Sequence, residues 1–121
     1  MLLGPLPAPA LRAAYARCGV FASAALYEPF GLAPLEAAQA GAALVLSDIP
    51  THRELWADAA LFVPPRDAEG FARAFASLLD APGEAARLGA RAARRARRYG
   101  RARMVAAIAA RHDALDLEAV R

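Results

Sequence analysis

The chain of 121 residues has room for one domain. With 58% hydrophobic and 22% charged residues, it has the composition of a folded core and not of a disordered segment. All 15 basic residues are Arg, 35 residues are Ala, and Lys and Asn are absent. A G+C-rich coding sequence produces that bias, so neither the Ala content nor the net charge of +3 is read as function. The lone Cys18 excludes an internal disulfide and a cysteine-based metal cluster. Residues 1–12 lack a basic n-region and carry Pro5, Pro7 and Pro9, unlike a secretory leader. The longest weakly charged stretch, residues 29–47, is interrupted by Gly31, Pro34, Glu36, Gln39 and Gly41, whereas a spanning helix needs about 20 mostly apolar residues. A soluble, cytoplasmic protein is expected.

Residues 10–18 open the pattern as a helix, with Leu11, Tyr15 and Cys18 on one face and Gly19 as its stop. Residues 20–26 form an apolar run without helical striping and read as a buried strand. In the turn at residues 28–31, Pro29 biases Glu28 away from the α region and Gly31 frees the backbone. Pro34 suits the first turn of the next helix, and Gly41 closes it. Residues 43–47 are a short apolar strand of the kind covered on both faces.

Thr51 and Glu54 have the spacing of a capping box and predict a short helix carrying Leu55 and Trp56. Residues 61–63 are a third strand, stopped by Pro64 and Pro65. Asp67 is placed to cap a helix anchored by Phe71, Phe75, Leu78 and Leu79. The remainder, from Pro82, reads as helical. Leu88, Ala92, Ala96 and Tyr99 form one stripe, opposite Arg87, Arg91, Arg94, Arg95 and Arg98. Gly100 bends or ends that helix, and Met104, Ile108 and Leu115 stripe the last one. Strand and helix alternating through short connections predict an α/β fold with a parallel sheet. Three strands are clear and residues 1–4 are a candidate fourth, which makes half of a doubly wound domain followed by a long helical C-terminal third.

The stretch from Glu28 to Glu36, EPFGLAPLE, runs from a strand end through a glycine turn into a helix start. Open α/β sheets bind ligands outside the carboxyl ends of their strands. Backbone N–H groups of Phe30, Gly31, Leu32 and Ala33 at the positive end of the helix dipole suit a phosphate. Glu28 projects from the turn and Glu36 lies one or two positions into the helix. A carboxylate accepts two hydroxyl hydrogen bonds, so two of them flanking a phosphate cradle suit a sugar nucleotide.

With its surroundings, this stretch resembles the C-terminal domain of the GT-B glycosyltransferases of family four, the retaining "group 1" enzymes. The residues that carry the resemblance are Glu28, Pro29, Phe30, Gly31, Leu32, Leu35, Glu36, Ala37 and Gly41, then residues 44–47, Asp48, Glu54 and residues 61–65. It extends from about Leu3 to Tyr99. The resemblance implies a partial Rossmann-like domain in which residues 1–121 are the C-terminal portion of the nucleotide-sugar-binding domain, the N-terminal acceptor domain being absent. It implies that Glu28 is the catalytic contact to the donor sugar, that Glu36 holds the ribose, and that Phe30, Gly31 and Leu32 line the sugar and diphosphate. It further implies sugar transfer with retention of configuration and no metal or other cofactor. The donor would be a UDP-, GDP- or ADP-linked sugar, and the acceptor a carbohydrate or a lipid-linked group. No residue matches the family's Arg/Lys pair that neutralises the diphosphate, so the chain is expected to be a fragment, inactive alone.

The remaining candidates have simpler structural readings. His52 and His112 read as solvated helix positions without metal-ligand spacing. Ser23 and Ser47 read as strand-end serines, because no G-x-S-x-G elbow surrounds them. Cys18 reads as a small apolar helix residue, and Asp48 as the organiser of the turn after it. Residues 91–103 hold seven arginines, which read as a solvated face with no nucleic acid expected as partner. Three readings therefore compete: a glycosyltransferase piece with a nucleotide-sugar half-site, a non-catalytic remnant or subunit completed by another chain, and an Arg-rich binder of nucleic acid or anionic membrane. Peripheral contact with the inner membrane face is carried with the first, since lipid-linked acceptors lie there.

Overall fold

The computed structural model describes residues 4–100, 105–106 and 108–111. Its elements run α1 (Ala8–Arg17), β1 (Val20–Ser23), α2 (Leu32–Gln39), β2 (Ala43–Ser47), α3 (Pro50–Trp56), β3 (Leu61–Val63), α4 (Ala68–Asp80) and α5 (Pro82–Ala96), followed by a 3-10 turn (Arg97–Tyr99). Among the described residues one three-stranded sheet forms, in the order β1-β2-β3 and parallel throughout. Val20 pairs with Ala43 and Val45 with Leu61. The α/β class and the parallel sheet follow the sequence reading. Of the candidate fourth strand, residues 1–3 lie outside the described residues and Gly4 is not in a strand.

β2 is buried at all five positions, which places apolar cover on both of its faces. Leu44 and Leu46 join Leu35, Ala37 and Ala38 of α2, Trp56 of α3, and Ala92 and Ala96 of α5 in one cluster. Ala43 and Val45 join Val63 of β3 and Leu78 of α4 in the other, with Phe71 and Leu88 packed against it. Alternate β2 side chains thus serve opposite layers, as the two-residue period of a strand requires. Fully burying Leu44, Val45 and Leu46 contributes roughly 1.5–3 kcal/mol each.

α5 contributes to both clusters, Ala85 and Leu88 to the second and Ala92 and Ala96 to the first. It passes between the layers at the amino end of β2, where Gly89 packs on the Gly41–Ala42 backbone. That turn is a Schellman ending of α2. The amide of Ala42 donates to the Ala37 carbonyl at 3.1 Å and that of Gly41 to the Ala38 carbonyl at 3.0 Å.

Local chemistry accounts for the other boundaries and for three differences from the sequence reading. Asp67 caps α4 as expected, its Oδ1 accepting from the Gly70 amide at 2.8 Å. β1 ends at Ser23 and not at Leu26, because Leu26 belongs to an exposed connection. The Thr51/Glu54 capping box does not form. Pro50, with its φ already suited to a first helical position, starts α3 after the extended Ile49, and Thr51 is one residue inside. Leu79 is 70% exposed and does not anchor α4, which leaves Leu78 as the buried contact.

The arginine stripe is not wholly solvated either. Arg95 is half-buried and donates to the carbonyls of Leu55 at 3.0 Å and Ala57 at 2.7 Å, and Arg91 to that of Asp58 at 3.1 Å. These bonds satisfy the open carbonyl end of α3. Residues 105–106 and 108–111 are helical, whereas Met104, His112 and Leu115 lie outside the described residues.

A methyl group on Gly89 would fall on the Gly41 carbonyl oxygen. Gly89→Ala is therefore expected to lower stability by about 1–3 kcal/mol in urea denaturation. Gly83→Ala, in open space on the same helix, should leave stability unchanged or raise it slightly.

Candidate functional site

The connection from β1 to α2 lies at the carboxyl end of the sheet, the end opposite the α5 crossing. Gly31 is the N-cap of α2 and adopts φ 89°, ψ 74°. That left-handed conformation costs a side-chain-bearing residue about 1–2 kcal/mol, and Gly31 is buried as well. A Cβ there would stand 3.3 Å from the Glu28 Cγ. Glu28 is therefore folded back against the turn and half-buried, not freely projecting.

Like α1, α3 and α5, and unlike α4, α2 has no side-chain cap among the described residues. Pro34 at the third position has no N–H, so the helix end offers the amides of Leu32 and Ala33, next to those of Phe30 and Gly31 in the loop. An uncapped helix start of this kind favours an anion. Leu32 is 61% exposed at its rim.

Glu36 is the fifth residue of α2, a full turn deeper than the sequence reading placed it, and it is exposed. It borders an open cleft of about 610 Å³ whose walls include Leu11, Leu32, Leu35, Gln39 and Tyr99. The Tyr15 phenol on α1 is pushed above its ordinary pKa, chiefly by burial and then by the negative charge of Glu36. The two carboxylates thus lie on either side of the uncapped helix start, one before it and one beyond it.

Phe30 is fixed by an aromatic contact that sequence reading did not single out. Its ring meets Tyr99 edge-on with centroids 5.9 Å apart, and Tyr99 meets Trp56 at 6.3 Å. The end of the helical third thereby braces the turn. The only signal in the sequence was Tyr99 at the end of an apolar stripe.

His52 differs from expectation, whereas Ser47 ends β2 as the sequence indicates. Both are fully buried, and their side chains lie 3.2 Å apart, Oγ to Nδ1. His52 is covered because α3 begins at Pro50, which turns that position toward β2. Cys18 is half-buried, its thiol pKa raised by burial and its Sγ on the Tyr15 carbonyl at 3.3 Å, consistent with a packing role. Asp48 pairs with Arg53, whose guanidinium also stacks over Phe62 at 4.1 Å. Among the described residues no group of three His, Cys, Asp or Glu is placed to hold a metal ion. None of the described helices is long and apolar enough to cross a membrane.

A parallel α/β domain whose helices cover both faces of the sheet, with a carboxylate-flanked helix start at the sheet's carboxyl end, is of the Rossmann-like class. The sequence profile of the family "Glycosyl transferases group 1" matches residues 1–95, and the chain belongs to that family. It is 49% identical over 70 residues to glycogen synthase of Mycobacterium tuberculosis, in strain CDC 1551 / Oshkosh and in strain ATCC 25618 / H37Rv; the match covers 56% of this chain and 17% of each relative. Among solved structures, sucrose-phosphate synthase from Thermosynechococcus elongatus superposes with a TM-score of 0.75 at 28% identity, over 80% of this chain and 25% of the other. The chain thus spans well under half the length of the relatives it matches. Its fold is that of a GT-B glycosyltransferase domain.

Arg53 holds the Asp48 carboxyl below the ordinary range, first through hydrogen bonds of 2.7 Å to Oδ1 and 2.9 Å to Oδ2, partly opposed by desolvation, with its charge adding the smallest part. For a depressed carboxylate the stabilisation is present above the unfolded pKa of about 3.9 and is lost as pH falls through the folded value. Carboxyl-carbon NMR should show Asp48 titrating below its ordinary value in the native chain, and Arg53→Ala should move the midpoint up. An unmoved midpoint would place the cause outside this pair.

Proposed function

We propose that residues 1–121 are the C-terminal portion of the nucleotide-sugar-binding domain of a glycosyltransferase that moves a hexosyl group from a nucleoside-diphosphate sugar to a carbohydrate or lipid-linked acceptor, with retention of configuration. The observation that carries this reading is the uncapped start of α2, flanked by Glu28 and Glu36, in a chain of the group 1 family. In this reading the diphosphate sits at the amides of Leu32 and Ala33, where the helix dipole favours the negative charge that develops as the glycosidic bond breaks. Glu28, held against Gly31, contacts the donor sugar. Glu36 accepts hydrogen bonds from the two ribose hydroxyls, and Phe30, Gly31 and Leu32 line the path between them. In this reading the reaction needs no metal or other cofactor. The similarity to a glycogen synthase and a sucrose-phosphate synthase supports a hexosyl donor.

A specific observation supports a partner domain or chain across this site. Leu26 and Tyr27 in the β1–α2 connection and Leu32 at the start of α2 are 58%, 80% and 61% exposed, an apolar patch of the kind that marks an interaction surface. β1, half-exposed at every position, is the sheet edge beside them. We infer that the acceptor is held from that side, and that the basic pair neutralising the diphosphate comes from there, since no residue of this chain matches it and Arg12 is the one arginine among the described residues lining the cleft beside Glu36. Cytoplasmic location and peripheral contact with the inner membrane face belong to the same proposal. The exposed Arg94, Arg97 and Arg98 would supply the attraction to anionic lipid.

Calorimetric titration of the full chain with UDP, GDP and ADP tests the donor reading. One of them should bind, and Glu36→Ala should weaken it roughly 10- to 100-fold, the loss expected for hydrogen bonds to a charged group. Glu69→Ala, on exposed α4, should change nothing. Affinity that survives Glu36→Ala and falls steeply with salt would assign the binding to the arginines instead.

A further inference from the structure

We propose that His52, acting through Ser47, is a positioning residue for the β1–α2 connection that carries Glu28. The imidazole Nδ1 lies 2.8 Å from the Ser47 carbonyl oxygen, which can only accept. Nδ1 therefore carries the ring proton and donates it, leaving the Ser47 Oγ, 3.2 Å away, to accept a weaker share of the same proton. The hydroxyl proton is then free to point elsewhere, and Oγ donates to the Ala25 carbonyl at 2.6 Å. The relay runs from α3 to the carboxyl end of β2 and into the connection, three residues ahead of Glu28.

The protonation pattern excludes a nucleophile–base pair, because the nitrogen facing Ser47 is a donor and the hydroxyl proton is committed to a carbonyl. Both groups are also sealed from solvent. Among the described residues the other ring nitrogen, Nε2, is buried without a hydrogen-bond partner. Nε2 thus gives the ring no polar reason to be there, and the one polar contact that accounts for a histidine at this buried position is the one at Nδ1.

The relay fixes something the sheet does not. β1 ends at Ser23, so the strand ladder does not extend to residues 24–31. Their conformation depends on the Ser47–Ala25 bond at one end and on the Phe30–Tyr99 contact at the other. Glu28 lies between these two anchors. The functional consequence rests on the donor-site reading above, whereas the positioning itself does not.

The test uses the full chain with three substitutions: His52→Leu, His52→Asn and Ser47→Ala. Asn retains an N–H donor near the Nδ1 position. Circular dichroism melts establish that each variant is folded, and Ser47→Ala keeps the test open if His52→Leu is not. Three readouts separate positioning from packing: ring-nitrogen NMR of His52, the carbonyl-carbon shift of Ala25, and nitrogen-relaxation order parameters of residues 26–30.

The native ring should show its proton on Nδ1. Ser47→Ala and His52→Leu should both shift the Ala25 carbonyl and lower the order parameters from about 0.85 toward 0.6. His52→Asn should restore most of both. Affinity for whichever of UDP, GDP or ADP binds should fall about tenfold in the first two variants and recover in the third. A proton on Nε2, an Ala25 carbonyl unmoved by Ser47→Ala, or His52→Asn no better than His52→Leu would overturn the proposal. If none of the nucleotides binds the native chain while the loop responds as described, the positioning role stands and the donor-site reading fails.

Discussion

β2 is the constraint on which the other elements depend. Its five residues have no exposed side chain, so each face must be covered at once, and a strand of only five residues leaves little room for misplacement. The cover is drawn tight by alanine. Ala37 and Ala38 of α2, Ala92 of α5, and Ala42, Ala43 and Ala59 around the strand ends are at most 2% exposed. A helix that presents Ala or Gly to a sheet approaches more closely than one that presents Leu, and close-packed interiors tolerate few voids. The contact of Gly89 with the Gly41 backbone is the limiting case of that approach.

This packing places the site. α5 crosses at the amino end of β2 and brings Tyr99 back to the carboxyl end, where it meets Phe30. The turn between β1 and α2 is therefore braced by residues far away in sequence, although its own chain carries little regular structure. Gly31 is strained for any residue with a side chain, and the helix that follows is left uncapped. Glycine accepts that conformation without strain, and the uncapped start leaves the amides of Leu32 and Ala33 without an intrahelical partner. Departures from local consistency of this kind are expected at functional sites.

Much of the fold could be read from the chain. β2 and β3 occupy the residues expected, because short apolar runs bounded by glycine and proline have few alternatives. Asp67 caps α4 through a bond that spans three residues. Membership of the group 1 glycosyltransferases was legible because EPFGLAPLE combines a turn, a helix start and two carboxylates in one local stretch. What was not legible depends on contacts between distant segments. His52 looked solvated because its burial is decided by β2 and the β1–α2 connection, not by its neighbours on α3. The arginine stripe looked uniform because nothing in its spacing reveals that Arg91 and Arg95 reach carbonyls at the end of α3. Alanine, set aside as a coding bias, proved to be core material wherever two backbones approach.

The decisive quantity is where a nucleotide touches the chain. Amide NMR of the labelled protein, titrated with the nucleoside diphosphate that binds, reads this residue by residue. A donor site at the start of α2 gives shifts concentrated on Phe30, Gly31, Leu32, Ala33 and Glu36, with a weaker response at Tyr15 beside Glu36. Shifts confined to the arginines of α5, or spread without focus over the surface, would contradict it.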